Sequence, residues 1–361
     1  MKYAKSSQII SNAIHDHDAS IETISIPVAD GGEGTVDAFL HSVGGEKIYT
    51  EVKDPLMRNI EAYFGLLDDG ETAVIEMAQA SGLGLVEDDR RPLEASTYGT
   101  GQLIKAALDW GSTRIILGLG GSATTDGGTG AMSALGVKFL SKYGTQIPMG
   151  GGGLVFLESI DISEIDTRLH EVEIIMACDV DNPLFGENGA ASVYAPQKGA
   201  DIEKVQILDS NLEHYAKVIE AILGIDVSDI AGGGAAGGLG IALAVLLDAR
   251  FMPGIEVVLD TVQFDQIIAD SDLIITGEGR IDKQTENGKA PMGIAMAAKE
   301  YAIPVVAIGG SLGLGYESIY DKGVKAAFSV VNSITTFETV NKTCRDDLYQ
   351  LIRNLMRYRD I

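Results

Sequence analysis

Short apolar runs that stop abruptly at glycines or acids recur along this chain. TISIPV runs into ADGGEGTVDAFL, RIILGL into GGSATTDGG, DLIITG into EGRIDKQT, and PVVAIGG into SLGLGYES. A stretch with helical spacing follows each of them. Apolar runs that do not alternate with polar residues suit strands covered on both faces. Their alternation with helices predicts an α/β protein with largely parallel strands. Residues 45–77 have a different texture: EKIYTEVKD, EAYFGLLDD and TAVIEMA are short strands separated by turn-like stretches, which suits antiparallel pairing. The end of the chain returns to strand–helix alternation. The expected architecture is therefore two α/β domains. Residues 1–44 plus 260–361 form a discontinuous Rossmann-like domain, and a mixed α/β domain, 45–259, is inserted in it. The glycine clusters at 150–153 and 231–240 read as loops. No repeat of fixed period is present.

Composition narrows the function classes. The 361 residues, 45% of them apolar, suffice for two ordinary cores. Acids outnumber bases 52 to 27, for a formal charge of −25. Such a surface disfavours nucleic acid, whose phosphates need clustered Lys and Arg. No stretch approaches the run of about 18 apolar residues that a membrane span requires, and the N-terminus MKYAKSSQIISNAI has no signal-peptide core. Cys178 and Cys344 stand far apart without a CxxC, so neither a disulfide framework nor a zinc site is expected. The expected setting is the cytoplasm, with a small-molecule substrate and no nucleic-acid or membrane partner. The oligomeric state, monomer or homodimer, stays open.

The chemistry gathers where strands give way to loops, because ligands of open α/β sheets sit at the carboxyl ends of strands. There is no GxxxxGK[ST], and the one GxGxxG match, Gly232, Gly234 and Gly237, has no clear strand before it and reads as packing or a flexible turn. GLGGSATTDGGTGAM (118–132) has a better context. Gly120, Gly121, Gly127 and Gly128 would let the backbone approach a ligand closely, and Ser122, Thr124 and Thr125 add hydroxyls. The helix that follows would aim its first amides at the same space. The competing reading is a plain helix start capped by Asp126. Acids crowd other strand ends: Asp30 and Glu33 in PVADGGEGT, Glu278 and Asp282 in ITGEGRIDKQTENGK, and Asp179 and Asp181 in ACDVDNPLFG. Uncompensated acids in a crevice repel one another. They imply Mg²⁺ with a polyphosphate, or nearby bases such as Arg280 and Lys289. Acids, Mg²⁺ and glycine loops together serve phosphoryl transfer. The five histidines, His15, His17, His41, His170 and His214, read as surface or capping residues.

Several of these strings together resemble the bacterial glycerate kinase type 1 family. The matching segments are PVADGGEGTVDA, EMAQASGL (76–83), STYGTGQLIKAAL (96–108), GLGGSATTDGGTGAM, CDVDNPL (178–184), YAPQKGA (194–200), GGGAAGGLG (232–240) and TGEGRIDKQT. They fall in order over nearly the whole chain. The resemblance implies ATP- and Mg²⁺-dependent phosphorylation of D-glycerate between two α/β domains. It favours 2-phosphoglycerate as product and leaves 3-phosphoglycerate open. A non-catalytic or truncated ligand-binding homologue, or a kinase of another small hydroxy acid, is the alternative. In this reading Gly120, Gly121, Ser122, Thr124, Thr125, Asp126, Gly127 and Gly128 cradle the nucleotide phosphates. Asp179 and Asp282 are the first candidates to hold Mg²⁺ or activate the hydroxyl, and Asp30 is the next. Arg280, Lys289 and Lys2 neutralise the glycerate carboxylate or the migrating phosphoryl group, and Lys198 is a weaker candidate for that role. Family members open with a strand and an IAPDSFK-type loop. Here Lys2 aligns with the lysine of that loop and its Asp and Ser are absent, which predicts a Rossmann-like domain destabilised by the lack of its first strand.

Overall fold

In the computed structural model, residues 3–28, 31–286, 290–333 and 336–359 are described. By internal contact the chain forms two units. One comprises Met1–Ala29 with Val258–Ile361, and the other comprises Asp30–Val257.

The middle unit is built on a six-stranded sheet. In chain order its strands are β1 (Gly45–Lys53), β2 (Asn59–Leu67), β3 (Thr72–Glu76), β4 (Arg114–Gly118), β7 (Glu173–Ala177) and β8 (Arg250–Met252), and this is also their spatial order. Between them, β5 (Lys138–Ser141) and β6 (Leu157–Asp161) form a separate antiparallel ribbon. As the texture of residues 45–77 predicts, β1, β2 and β3 pair antiparallel. The β1–β2 turn is set by Asp54, whose Oδ1 accepts from Leu56 N at 2.8 Å and Arg58 N at 2.9 Å. A short acid accepting from amides just ahead of it is the usual device of such turns. From β3 onward the sheet is parallel. Its central strands are covered on both faces, which is why TAVIE and RIILG carry unbroken apolar runs: Ile75, Ile115, Ile116 and Leu117 are wholly buried.

The other unit holds a parallel three-stranded sheet, with β10 (Val305–Leu312) between β11 (Val324–Ser329) and β9 (Ile274–Ile281). Its core joins Val306 and Ile308 of β10 to Ala13 and Ile14 of the helix Tyr3–His15, and to Leu348, Ile352 and Met356 of the helix Phe337–Arg359. Two expectations need correction here. TISIPV makes no strand: among the described residues no neighbour offers it a ladder, and Ile24 is 69% exposed. Further on, β9 does not stop at the glycine of DLIITG. It continues through GEGRI, because β10 extends alongside and pairs Gly309 with Glu278 and Ser311 with Arg280. Glu278 and Arg280 are therefore strand residues. Among the described residues no helix is long and apolar enough to cross a membrane, and Cys178 and Cys344 are both free thiols.

Candidate active site

Strands β3, β4 and β7 end in register, with Glu76 opposite Gly118 and Gly118 opposite Ala177. The segments that follow them thus emerge at one end of the sheet. Gly31 closes against this end at φ 83°, and a Cβ there would lie 2.7 Å from the Ala177 carbonyl oxygen, so only glycine fits. Glu76, buried at the tip of β3, turns its Oε1 to Val36 N (2.8 Å) and Gly34 N (3.1 Å), while Gln79 Nε2 donates to its Oε2 (3.2 Å). A carboxylate in that place satisfies the first amides of the helix Thr35–Val43 and complements its dipole.

The loop after β4 is sewn to its neighbours strand by strand. Gly120 N donates to Gly31 O (3.2 Å), Leu83 N to Gly121 O (2.9 Å), Ala123 N to Ser81 O (2.9 Å) and Gly127 N to Gly237 O (3.0 Å). Gly237 (φ 69°) comes so close that a Cβ would lie 2.1 Å from Thr124 O. The glycines at 232–240 are thus packing residues, as the weak GxGxxG match suggests.

The loop has two parts. Gly120 and Gly121 reach the surface, and Ser122 is 9% exposed; from Ala123 to Gly130 every residue is buried. Asp126 explains the buried part. Its carboxylate accepts from Thr97 N (2.8 Å), Thr97 Oγ1 (2.9 Å), Gly128 N (3.1 Å) and Gly130 N (3.2 Å). Ala131 N donates to Thr97 Oγ1 at 2.9 Å. The opening amides of the helix Thr129–Ala134 are therefore taken up inside the protein and do not face a ligand. This corrects the expectation of an amide cradle there and favours the capping reading of Asp126. Burial pushes the Asp126 carboxyl up, and its bonds to Thr97, Gly128 and Gly130 pull it back down. Thr124, Thr125, Gly127 and Gly128 share its interior setting. Two buried hydroxyls, Thr124 Oγ1 and Thr125 Oγ1, find no protein partner among the described residues. Lys198 enters from the segment 194–200: fully buried, its Nζ donates to Ser122 Oγ (2.9 Å) and Thr124 O (2.6 Å).

The acids separate between the two units. Asp179, exposed in the segment after β7, accepts at Oδ1 from Gly254 N (2.8 Å), the first residue of the helix Gly254–Thr261. Asp282 follows β9 in the other unit. Its Oδ2 lies 3.1 Å from Arg280 Nε, and its backbone N–H donates to Thr285 Oγ1, also at 3.1 Å. Thr285 Oγ1 donates in turn to Glu278. Lys2, Asp30 and Lys289 lie outside the described residues. Among the described residues no group of three or more His, Cys, Asp or Glu could hold a metal ion. Mg²⁺ ordinarily takes only one or two carboxylates and fills its other positions with water and phosphate oxygens. Asp179 suits that need, being exposed and fixed by a main-chain amide. Asp282 would have to share its charge with Arg280.

The glycerate kinase family model matches residues 1–360. The chain belongs to the glycerate kinase family. It is 51% identical over 331 residues to the glycerate kinase of Halalkalibacterium halodurans, covering 91% of this chain and 87% of that protein. Against the glycerate 2-kinase of Escherichia coli K12 the identity is 47% over 333 residues, covering 92% and 87% respectively. A crystal structure from Salmonella typhimurium LT2, assigned as a glycerate kinase 2, superposes with a TM-score of 0.89 at 43% identity, covering 99% of this chain and 94% of that one.

Within this glycerate kinase fold, seven of the eight matching segments meet in the middle unit; the hydrogen bonds above link six of them, and Gly234 N to Asn182 O (2.8 Å) adds the seventh. TGEGRIDKQT lies in the other unit, which also takes residues 27–29 at the start of PVADGGEGTVDA. Sequence reasoning missed Glu76 and Thr97. The former was visible only as the acid ending an apolar strand, and the latter carried no signal, since its partner Asp126 lies 29 residues away.

Proposed function

We propose that this kinase transfers the terminal phosphoryl group of ATP to the 2-hydroxyl of D-glycerate, with Mg²⁺ as cofactor. The observation that carries the reading is the convergence at the ends of β3, β4 and β7: a glycine loop that reaches the surface only at Gly120 and Gly121, with an exposed, amide-fixed carboxylate, Asp179, after the neighbouring strand. The Gly120–Ser122 edge receives the phosphate chain. Thr124, Thr125, Asp126, Gly127 and Gly128 keep its shape from below. Asp179 orients the acceptor hydroxyl and takes its proton as the oxygen–phosphorus bond forms and the bond from the terminal phosphorus to ADP breaks. Arg280, beside Asp282 in the other unit, stays a candidate for the glycerate carboxylate on its sequence position. Lys2, Asp30 and Lys289 stay candidates on their sequence positions. Mg²⁺, when bound, would neutralise charge growing on the phosphate oxygens, and Asp179 is the residue of the middle unit proposed to hold it; Asp282 stays a candidate on its sequence position.

The acceptor position is tested by phosphorus NMR of the product made from D-glycerate. The reading expects 2-phosphoglycerate as the dominant species; 3-phosphoglycerate as the main product would overturn the assignment to the 2-hydroxyl.

A further inference from the structure

Lys198 sits at the end of a single 3₁₀ turn, Pro196–Lys198, closed by Gly199 at φ 94°. Its side chain runs inward beneath the exposed edge of the glycine loop and is 2% exposed. The amine serves two acceptors, Ser122 Oγ and Thr124 O. Two N–H bonds suffice for them, so a neutral amine satisfies both as well as an ammonium does. The third proton would be a buried charge. Among the described residues no carboxylate lies within ion-pair distance of it. Asp126 attracts it from further off, and the charge of the same carboxylate also acts on the buried phenol of Tyr215. Burial pushes the Lys198 amine down to about 7, against the pull of Asp126.

We propose that Lys198 is a positioning residue that couples nucleotide binding to proton uptake. It holds Ser122 and Thr124 in either protonation state, and it takes a proton when a phosphate chain settles on Gly120–Ser122. This rests on the reading that the loop receives ATP. The physical basis is that anionic oxygens above the loop favour the charged form of an amine below it, through an interior that screens little. By linkage, a proton on Lys198 strengthens phosphate binding by the same factor.

The test is calorimetric titration with ATP and Mg²⁺, without glycerate, in two buffers of different ionisation enthalpy between pH 7.5 and 8.5. That window lies above the second ionisation of a phosphate monoester, about 6. The wild-type protein is expected to take up a large fraction of one proton per ATP, and its affinity to fall by up to about tenfold across that pH unit. Lys198→Met, with its fold checked by circular dichroism, should bind with no such uptake and a flat pH profile. No proton uptake by the wild type, or equal uptake by the variant, overturns the proposal. Gly121→Val separates the two levels of the argument. If that variant binds ATP as the wild type does, the loop does not receive ATP and both readings fall. If it loses affinity while Lys198→Met keeps the wild-type proton count, the assignment to Lys198 alone fails.

Discussion

Asp179→Asn should lower kcat by about 10²- to 10⁴-fold, the usual worth of a positioned acid or base, while the KM for ATP changes little. The substitution is chosen for its shape. An asparagine oxygen can still accept from Gly254 N, as the aspartate does at 2.8 Å, so the start of the helix Gly254–Thr261 stays closed. What is lost is a negative charge able to take the proton of the attacking hydroxyl, or to help hold Mg²⁺. Those two roles part company under Mg²⁺ titration: a metal ligand lost is partly compensated by more Mg²⁺, and a base lost is not. Activity within threefold of wild type at all Mg²⁺ concentrations would move the chemistry to another acid. Steady-state kinetics over pH and Mg²⁺ checks the prediction.

Asp126→Ala has the second large effect, and it concerns stability. The carboxylate gathers the backbone amides of Thr97, Gly128 and Gly130 and the Thr97 hydroxyl in a setting with no solvent exposure. Removing it leaves several buried donors unsatisfied, each of which costs about 1–3 kcal/mol. Partial relaxation should leave a total of about 3–5 kcal/mol, read as a fall in the urea midpoint. Asp126→Asn, which retains one acceptor oxygen but introduces an amide needing partners of its own, should fall between. A midpoint for Asp126→Ala within about 0.5 kcal/mol of wild type would mean that the buried half of the loop is not held by this residue, and the division of GGSATTDGG into an outer edge and an inner anchor would be wrong.

Much of the fold is legible in the sequence because it is written locally. Unbroken apolar runs marked β4, β9 and β10 as parallel strands, and the short strands of 45–77, separated by turn-like stretches, marked the antiparallel pairing. TISIPV shows where that logic stops. Its residues favour a strand, but a strand exists only through its ladder partner, and pairing is not a property of six residues. The same limit governs the site. A glycine- and threonine-rich loop has the composition of a phosphate cradle, and composition does not say which half turns outward. Here Asp126 turns one half in, by bonding to Thr97 and to the loop's own amides. Lys198 entered only as a weaker candidate for neutralising substrate charge; the packing of 194–200 against 122–124 shows that its amine is buried. Arg280 seemed a loop residue because glycines precede it, yet a longer β10 keeps it in register with Ser311.

The central claim, ATP-dependent phosphorylation of D-glycerate, is tested most directly by ADP release from this chain with D-glycerate, L-glycerate and glycolate in turn, each with and without Mg²⁺. The account predicts release confined to D-glycerate in the presence of Mg²⁺. Equal release with glycolate, or none with D-glycerate and Mg²⁺, would contradict it.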